Sequence, residues 1–123
     1  MVTKEDAALA LQHGADGLIV SNHGGRSEDS KRASIDCLPE VIAAVNGKVL
    51  VDGGFRRGTY FFKALAMGAS AVCIGRPYLW ALAAFGQTGV ETMLTLLRKE
   101  LQIDMRQAGA ASIPQITPEF LVR

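Results

Sequence analysis

A histidine and an arginine stand three residues apart in a glycine-containing segment early in the chain. The segment reads Ser21-Asn22-His23-Gly24-Gly25-Arg26-Ser27. An imidazole accepts a proton near neutral pH, and a guanidinium holds a carboxylate through two parallel hydrogen bonds. Together these side chains could bind and deprotonate a small organic acid. The spacing alone equally allows a structural interpretation, in which His23 caps a turn and Arg26 pairs with Glu28 or Asp29.

Two further glycine-rich segments carry arginine. They read Asp52-Gly53-Gly54-Phe55-Arg56-Arg57-Gly58 and Gly75-Arg76-Pro77, and a helical stretch follows each of them. Glycine lets backbone N–H groups approach phosphate oxygens, and the N-terminus of a following helix favours negative charge. We predict a phosphate site formed jointly by both segments, with Arg56 or Arg76 supplying positive charge. The alternative is that both segments are ordinary turns.

Short apolar runs precede all three polar segments, at residues 17–20, 48–51 and 71–74. Unalternating runs of this length are typical of parallel strands buried on both faces. A helix-like segment and then a glycine precede each run, at Gly14, Gly47 and Gly68, where a helix commonly ends in a left-handed residue. The order of helix and strand, repeated three times, predicts an α/β fold built from βα units.

A longer amphipathic segment closes the chain. Its apolar stripe is formed by Val90, Met93, Leu94, Leu97, Leu101 and Met105. The stripe and the following Gly109 predict a long helix, with Glu100 and its charged neighbours on the solvated face.

A weak repeat indicates how these units are arranged. Residues 14–20 resemble residues 68–74, two βα units further on, as expected of a (β/α) barrel. A complete barrel has eight strands and about 250 residues, which is more than this chain of 123 residues supplies. We therefore predict one incomplete domain over residues 1–123. Because barrel phosphate sites lie after the last two strands, the strands would be numbers six to eight.

Composition excludes several classes of function. Thirteen Lys and Arg against twelve Asp and Glu give a net charge of +1, which indicates no nucleic-acid surface. No apolar stretch approaches the roughly 20 residues that cross a bilayer. Cys37 and Cys73 lack the CxxC spacing of metal or redox sites, so we expect no metal. The cysteine pattern and the charged start of the chain predict a reducing, cytoplasmic setting.

In their order, the motifs resemble those of the FMN-dependent α-hydroxy acid dehydrogenases and oxidases. This family includes glycolate oxidase, the flavin L-lactate dehydrogenases and mandelate dehydrogenase. The resemblance is carried by residues 21–26, 52–58, 63–69 and 75–80, and it extends over nearly all of residues 2–121. The segment at residues 21–26 is close to diagnostic for this family. The resemblance implies the C-terminal portion of a TIM (β/α)8 barrel, roughly strands six to eight with their helices.

The resemblance also implies roles for particular residues. His23 would be the active-site base, Arg26 would bind the substrate carboxylate, and Ser21 would lie near the flavin. The implied FMN-binding residues are Asp52, Gly53, Gly54, Phe55, Arg56, Gly75 and Arg76. In the family, a small 2-hydroxy acid loses two electrons and two protons to FMN and becomes a 2-oxo acid, by carbanion or hydride transfer.

Two departures bear on function. Thr3-Lys4-Glu5-Asp6-Ala7 matches a sequence that follows the family's flavin-side lysine, so that lysine and the earlier strands are expected to be missing. Ser27 stands where glutamine is usual. We therefore keep three interpretations open: a piece of a hydroxy acid oxidoreductase, a non-catalytic flavin- or phosphate-binding partial barrel that self-associates, and an inactive truncated fragment. A homo-oligomer, or a requirement for the N-terminal half, is the expected partnership.

Overall fold

The computed structural model describes residues 3–27 and 32–121. In chain order its elements are α1 (Lys4–Gln12), β1 (Gly17–Val20), α2 (Ser34–Ala44), β2 (Lys48–Val51), α3 (Gly58–Ala66), β3 (Ala71–Val72) and α4 (Arg76–Ala108). Short 3-10 turns add His23–Gly25, Ile113–Gln115 and Pro118–Phe120. The predicted alternation of helix and strand is confirmed.

The three strands form a parallel sheet in the order β1-β2-β3. Val20 of β1 is in register with Val51 of β2, and Val51 is in register with Val72 of β3. Because parallel strands in chain order end at the same edge, the loops that follow them converge there. The sheet thus brings the three polar segments together.

The third strand is shorter than predicted, since only Ala71–Val72 of the apolar run 71–74 is strand. The N–H of Cys73 still donates to the carbonyl of Val51 at 2.8 Å, so pairing persists for one more residue. Beyond that point β2 has ended at Val51, and Ile74 has no strand beside it. The length of β2 therefore limits the length of β3.

The sheet is buried on one face only, so the predicted burial on both faces is wrong. Alternate residues, including Leu18, Val20 and Val51, pack into the main core with α1, α2 and α3. Ile19 points the other way and is 48% exposed. The reason is geometric: the helices cover one face, and three strands cannot close into a barrel whose interior would bury the other.

Glycines end several of the helices as expected. Gly14, Gly68 and Gly109 have φ values of 87°, 104° and 79°. Gly47 does not follow this pattern, because α2 ends at Ala44 and Val45 is already extended with φ of −135°. The chain therefore enters β2 without a left-handed turn at Gly47.

The last helix is interrupted once and packs unevenly. Gly86 has non-helical angles of 61° and −147° and divides α4 into two segments. In the predicted apolar stripe Leu97 is buried, whereas Leu94 is 50% exposed. A second core joins α3 to the end of the chain, where the ring of Phe62 meets Phe120 edge-on at 5.6 Å. Within residues 3–27 and 32–121, no helix has the length and apolar character that crossing a bilayer requires.

Candidate active site

The loop after β1 folds into a tight turn that begins at His23. The side chain of Asn22 closes the turn, since its Oδ1 accepts from the N–H of Gly25 at 3.2 Å. The N–H of His23 donates to Oγ of Ser21 at 3.0 Å. His23 has φ of 55°, the one positive value at a non-glycine residue in the described part of the chain. Strained backbone of this kind persists where surrounding contacts over-determine it, commonly at functional sites.

Asn22 joins this turn to Ser34 at the start of α2, and the loop after β2 passes close to both residues. The Asn22 N–H donates to Oγ of Ser34 at 3.3 Å, and its Nδ2 donates to the Arg32 carbonyl at 3.0 Å. A Cβ added to Gly53 would lie 3.0 Å from the Ser34 hydroxyl. Gly53 also has φ of 91°, so a glycine is required there for both reasons. The turn is thus held against α2, and Gly53 of the second loop packs beside the same serine.

A cavity of about 340 Å³ opens where the three loops meet. Nearly all the predicted site residues line it: His23, Arg26, Asp52, Gly53, Gly54, Phe55, Arg56, Gly75 and Arg76. Ser21 is absent from this lining, and its hydroxyl instead supports the backbone of the histidine turn. The alternative pairing of Arg26 with Glu28 or Asp29 involves residues outside the described part.

The charges around the cavity favour anions. The side chains of Arg26, Arg56 and Arg76 line it against the one carboxylate of Asp52. The guanidinium of Arg76 lies beside the histidine turn. Its Nη2 is 3.2 Å from the position that a Cβ on Gly24 would take. An excess of guanidinium groups over carboxylates raises the local concentration of anionic ligands and steers them into a cleft.

The two helices that begin beside the cavity differ at their N-termini. At α3, the N–H of Gly58 donates to Oε2 of Glu100 at 2.7 Å, and Arg57 forms an ion pair with the same carboxylate at 3.0 Å. The prediction that Glu100 belongs to a solvated face is therefore wrong. The predicted contribution of the α3 N-terminus to the phosphate site is wrong as well, because a carboxylate of the protein already occupies it.

The N-terminus of α4 remains available to a ligand. No side chain caps it, and a Cβ on its N-cap residue Gly75 would meet nothing within 4 Å. Pro77 stands in the first turn, where the N–H that proline lacks would have no partner in the helix. Unpaired N–H groups at a helix N-terminus form a ready anion site.

The cavity also fits the rest of a phosphorylated polyol. Oδ1 of Asp52 is buried and has no hydrogen-bond partner among the described residues. A buried carboxylate oxygen without a donor is costly, and hydroxyl groups of a ligand would supply one. A Cβ on Gly54 would meet nothing within 4 Å, which leaves that wall open to a ligand. The residues present thus fit a phosphate group joined to a hydroxyl-bearing chain.

Parallel βα units with anion-binding loops at the carboxyl ends of the strands define the phosphate-binding portion of a TIM barrel. The sequence matches the FMN-dependent dehydrogenases over residues 1–123, and the chain belongs to this family of FMN-dependent oxidoreductases. The predicted family and its cofactor are thereby confirmed.

Known relatives place the chain within a larger barrel. It is 55% identical over 119 residues to L-lactate oxidase from Nostoc sp.. This alignment covers 95% of the present chain and 33% of the lactate oxidase. Its structure matches a soluble mutant of the membrane-associated (S)-mandelate dehydrogenase from Pseudomonas putida with a TM-score of 0.94, at 42% identity over 98% of this chain and 34% of that one.

A third match carries the flavin. A mandelate oxidase mutant solved with a monooxide FMN adduct superposes with a TM-score of 0.90, at 48% identity over 94% of this chain and 38% of that chain. The chain therefore spans about a third of the length of these relatives. The predicted fold class, a portion of a TIM barrel, is confirmed.

Proposed function

We propose that the chain carries the base and the FMN-phosphate site of an enzyme that oxidises a small 2-hydroxy acid to a 2-oxo acid. The observation that carries the proposal is the shared cavity, which places His23 and Arg26 beside the loops of Arg56 and Arg76. One part of the cavity suits a carboxylate and the other suits a phosphate. The family supplies the reaction class.

Arg26 and His23 act on the substrate in this proposal. The Arg26 guanidinium holds the substrate carboxylate and thereby orients the carbon that bears the hydroxyl group. The oxidation removes two electrons and two protons, and an imidazole nitrogen of His23 takes one of these protons as general base. FMN, when bound, would accept the two electrons together with the second proton. Both carbanion and hydride transfer require the same base, so they remain alternatives.

The loops after β2 and β3 hold the cofactor. Arg56 and Arg76 supply positive charge to the phosphate, and the unpaired N–H groups at the start of α4 supply hydrogen bonds. Oδ1 of Asp52, which has no donor in the described part, would accept from hydroxyl groups of the ribityl chain. The positive φ values of Gly53 and Gly54 allow the backbone of this loop to approach the ligand closely.

A second candidate is a partial barrel that binds flavin and self-associates without catalysis. The observation that favours it is the open sheet face, where Ile19 is 48% exposed. Both outer strands also have an unpaired edge in the described sheet, and exposed edges and apolar faces promote association. In this candidate Arg56 and Arg76 keep their roles and His23 has none.

Flavin spectroscopy on the purified chain distinguishes these functions. FMN is titrated first, and lactate, glycolate or mandelate is then added without oxygen. Loss of the visible flavin band supports the enzyme, whereas stable binding without bleaching supports the second candidate. Failure to bind FMN contradicts both.

Three variants assign the residues. His23→Asn tolerates the left-handed backbone and should slow bleaching by about 10²- to 10⁴-fold while FMN stays bound. Arg56→Gln should weaken FMN binding by about 10- to 100-fold, as expected for a charge-assisted hydrogen bond. Arg57→Gln is its control, because Arg57 pairs with Glu100. Riboflavin, which lacks the phosphate, should bind both variants and the parent chain equally.

A further inference from the structure

Arg56 is held against an aromatic ring at the edge of the cavity. Its guanidinium carbon lies 5.2 Å from the ring centroid of Trp80. Trp80 belongs to the first turns of α4, is 53% exposed, and is the one tryptophan in the sequence. The contact therefore joins the loop after β2 to the helix after β3, the two parts that form the cradle.

We propose that Trp80 is a positioning residue for Arg56, which it orients towards the phosphate monoester of FMN. The inference rests on the proposed function. It adds a residue that does not line the cavity and that has no assigned role in phosphate binding.

The chemistry of the two groups supports this assignment. A guanidinium that is held by an aromatic ring uses none of its N–H groups on a carboxylate, so they stay available to donate to phosphate oxygens. No carboxylate among the described residues lies within ion-pair distance of Arg56, whereas the adjacent Arg57 is paired with Glu100. Among the described residues, Trp80 is thus the contact that restrains the Arg56 side chain.

Restraint of this kind improves affinity because less side-chain freedom is lost on binding. An exposed arginine loses rotamer entropy when a ligand immobilises it, and a side chain already held in place loses less. The loss of an exposed cation–π contact corresponds to about a two- to fivefold change in an equilibrium constant. The expected effect on FMN affinity is therefore modest but measurable.

The test compares variants at position 80 by FMN titration, followed through flavin absorbance. Trp80→Leu removes the ring and should weaken FMN binding about two- to fivefold. Trp80→Phe keeps a weaker ring and should fall between Trp80→Leu and the parent chain. Phe85→Leu changes another exposed aromatic of the same helix and should have no effect. Riboflavin binding should not respond to any of them.

A double-mutant cycle shows whether Trp80 acts through Arg56. In an Arg56→Gln background, Trp80→Leu should cause no further loss of FMN affinity. An equal loss in both backgrounds, or unchanged affinity of Trp80→Leu in the parent chain, overturns the positioning role while the phosphate site stands. If the parent chain binds FMN and riboflavin equally and Arg56→Gln changes neither, the phosphate site fails, and the positioning role fails with it.

A measurement without ligand covers the case in which Trp80→Leu does not fold. The emission of Trp80 reports the guanidinium beside it, since no other tryptophan contributes. Arg56→Gln should shift this emission and increase quenching by acrylamide, and Arg57→Gln should leave both unchanged. Identical emission from the parent chain and Arg56→Gln would overturn the contact itself.

Discussion

The carboxylate of Glu100 connects α4 to the start of α3, and its removal should destabilise the fold strongly. It accepts from the Gly58 N–H at 2.7 Å and from Nε of Arg57 at 3.2 Å. A charge-assisted hydrogen bond contributes about 1.5–3 kcal/mol, and the ion pair adds about 0.2–1 kcal/mol, because 66% of the arginine side chain is exposed. We therefore expect Glu100→Ala to lower the free energy of unfolding by about 2–3 kcal/mol.

Smaller changes at the same contact should follow a definite order. Glu100→Gln keeps an oxygen that can accept from Gly58 but loses the charge, so it should cost about 1 kcal/mol. Arg57→Ala removes only the exposed ion pair and should cost less than about 1 kcal/mol. Glu91→Ala is the control, because within residues 3–27 and 32–121 its carboxylate makes only an exposed bond to Gln87 on the same helix, and its cost should stay below about 0.5 kcal/mol.

Urea unfolding measures these differences through circular dichroism and tryptophan emission. An unchanged dependence on urea concentration would show that each variant alters stability rather than the extent of unfolding. The reasoning is refuted if Glu100→Ala lies within about 0.5 kcal/mol of the parent chain, as the control does. It also fails if Arg57→Ala costs more than Glu100→Ala, because the ion pair would then outweigh the bond to the helix N-terminus.

Three further predictions follow from contacts elsewhere. Gly53→Ala should lower the free energy of unfolding, measured with urea, more than Gly54→Ala does. Both glycines have positive φ, but only a methyl group at position 53 would press against the buried Ser34 of α2. The Arg32 guanidinium lowers the pKa of Glu40 below its ordinary value of 4.5. Stability from this pair is full above 4.5 and is lost as pH falls through the lowered pKa, so the difference between the parent chain and Glu40→Gln should shrink there. Ile19→Thr, on the open sheet face, should cost less than about 1 kcal/mol, and a larger cost would show that the face is covered.

Much of the fold follows from local sequence signals. The predicted bounds of β1 and β2 match the structure, because short apolar runs between a helix and a polar loop leave few alternatives. The end of β3 was not predictable in this way. It depends on where its neighbour β2 stops, and that information lies some twenty residues away in the chain.

The residues of the candidate site also fall into a group that the sequence predicts and a group that it does not. Side chains within each motif, such as His23 and Arg56, could be predicted to converge, because parallel strands direct their loops to one edge. Residues that hold the motifs in place could not. Glu100 lies 42 residues from Gly58, and its charge resembles that of any solvated helix position. Asn22 offered a partial signal as a turn-forming residue beside glycines, whereas Ser34 offered none.

The arginines near the cavity show how the phosphate and substrate functions separate. Arg57 is neutralised by Glu100, Arg56 is restrained by Trp80, and the start of α4 has no side-chain cap, so these contacts direct free positive charge towards one anion. The proposed phosphate cradle is thus assembled by contacts within the described part of the chain.

The substrate side differs because His23 and Arg26 are both exposed to solvent. Exclusion of water strengthens the electrostatic interactions of an active site and prevents side reactions. Exposed groups of this kind can bind an acid weakly, but efficient proton transfer needs a cover over the imidazole. We therefore expect the purified chain to bind FMN and to bleach it slowly on addition of the acid, and we expect bleaching to become faster when other polypeptide covers His23.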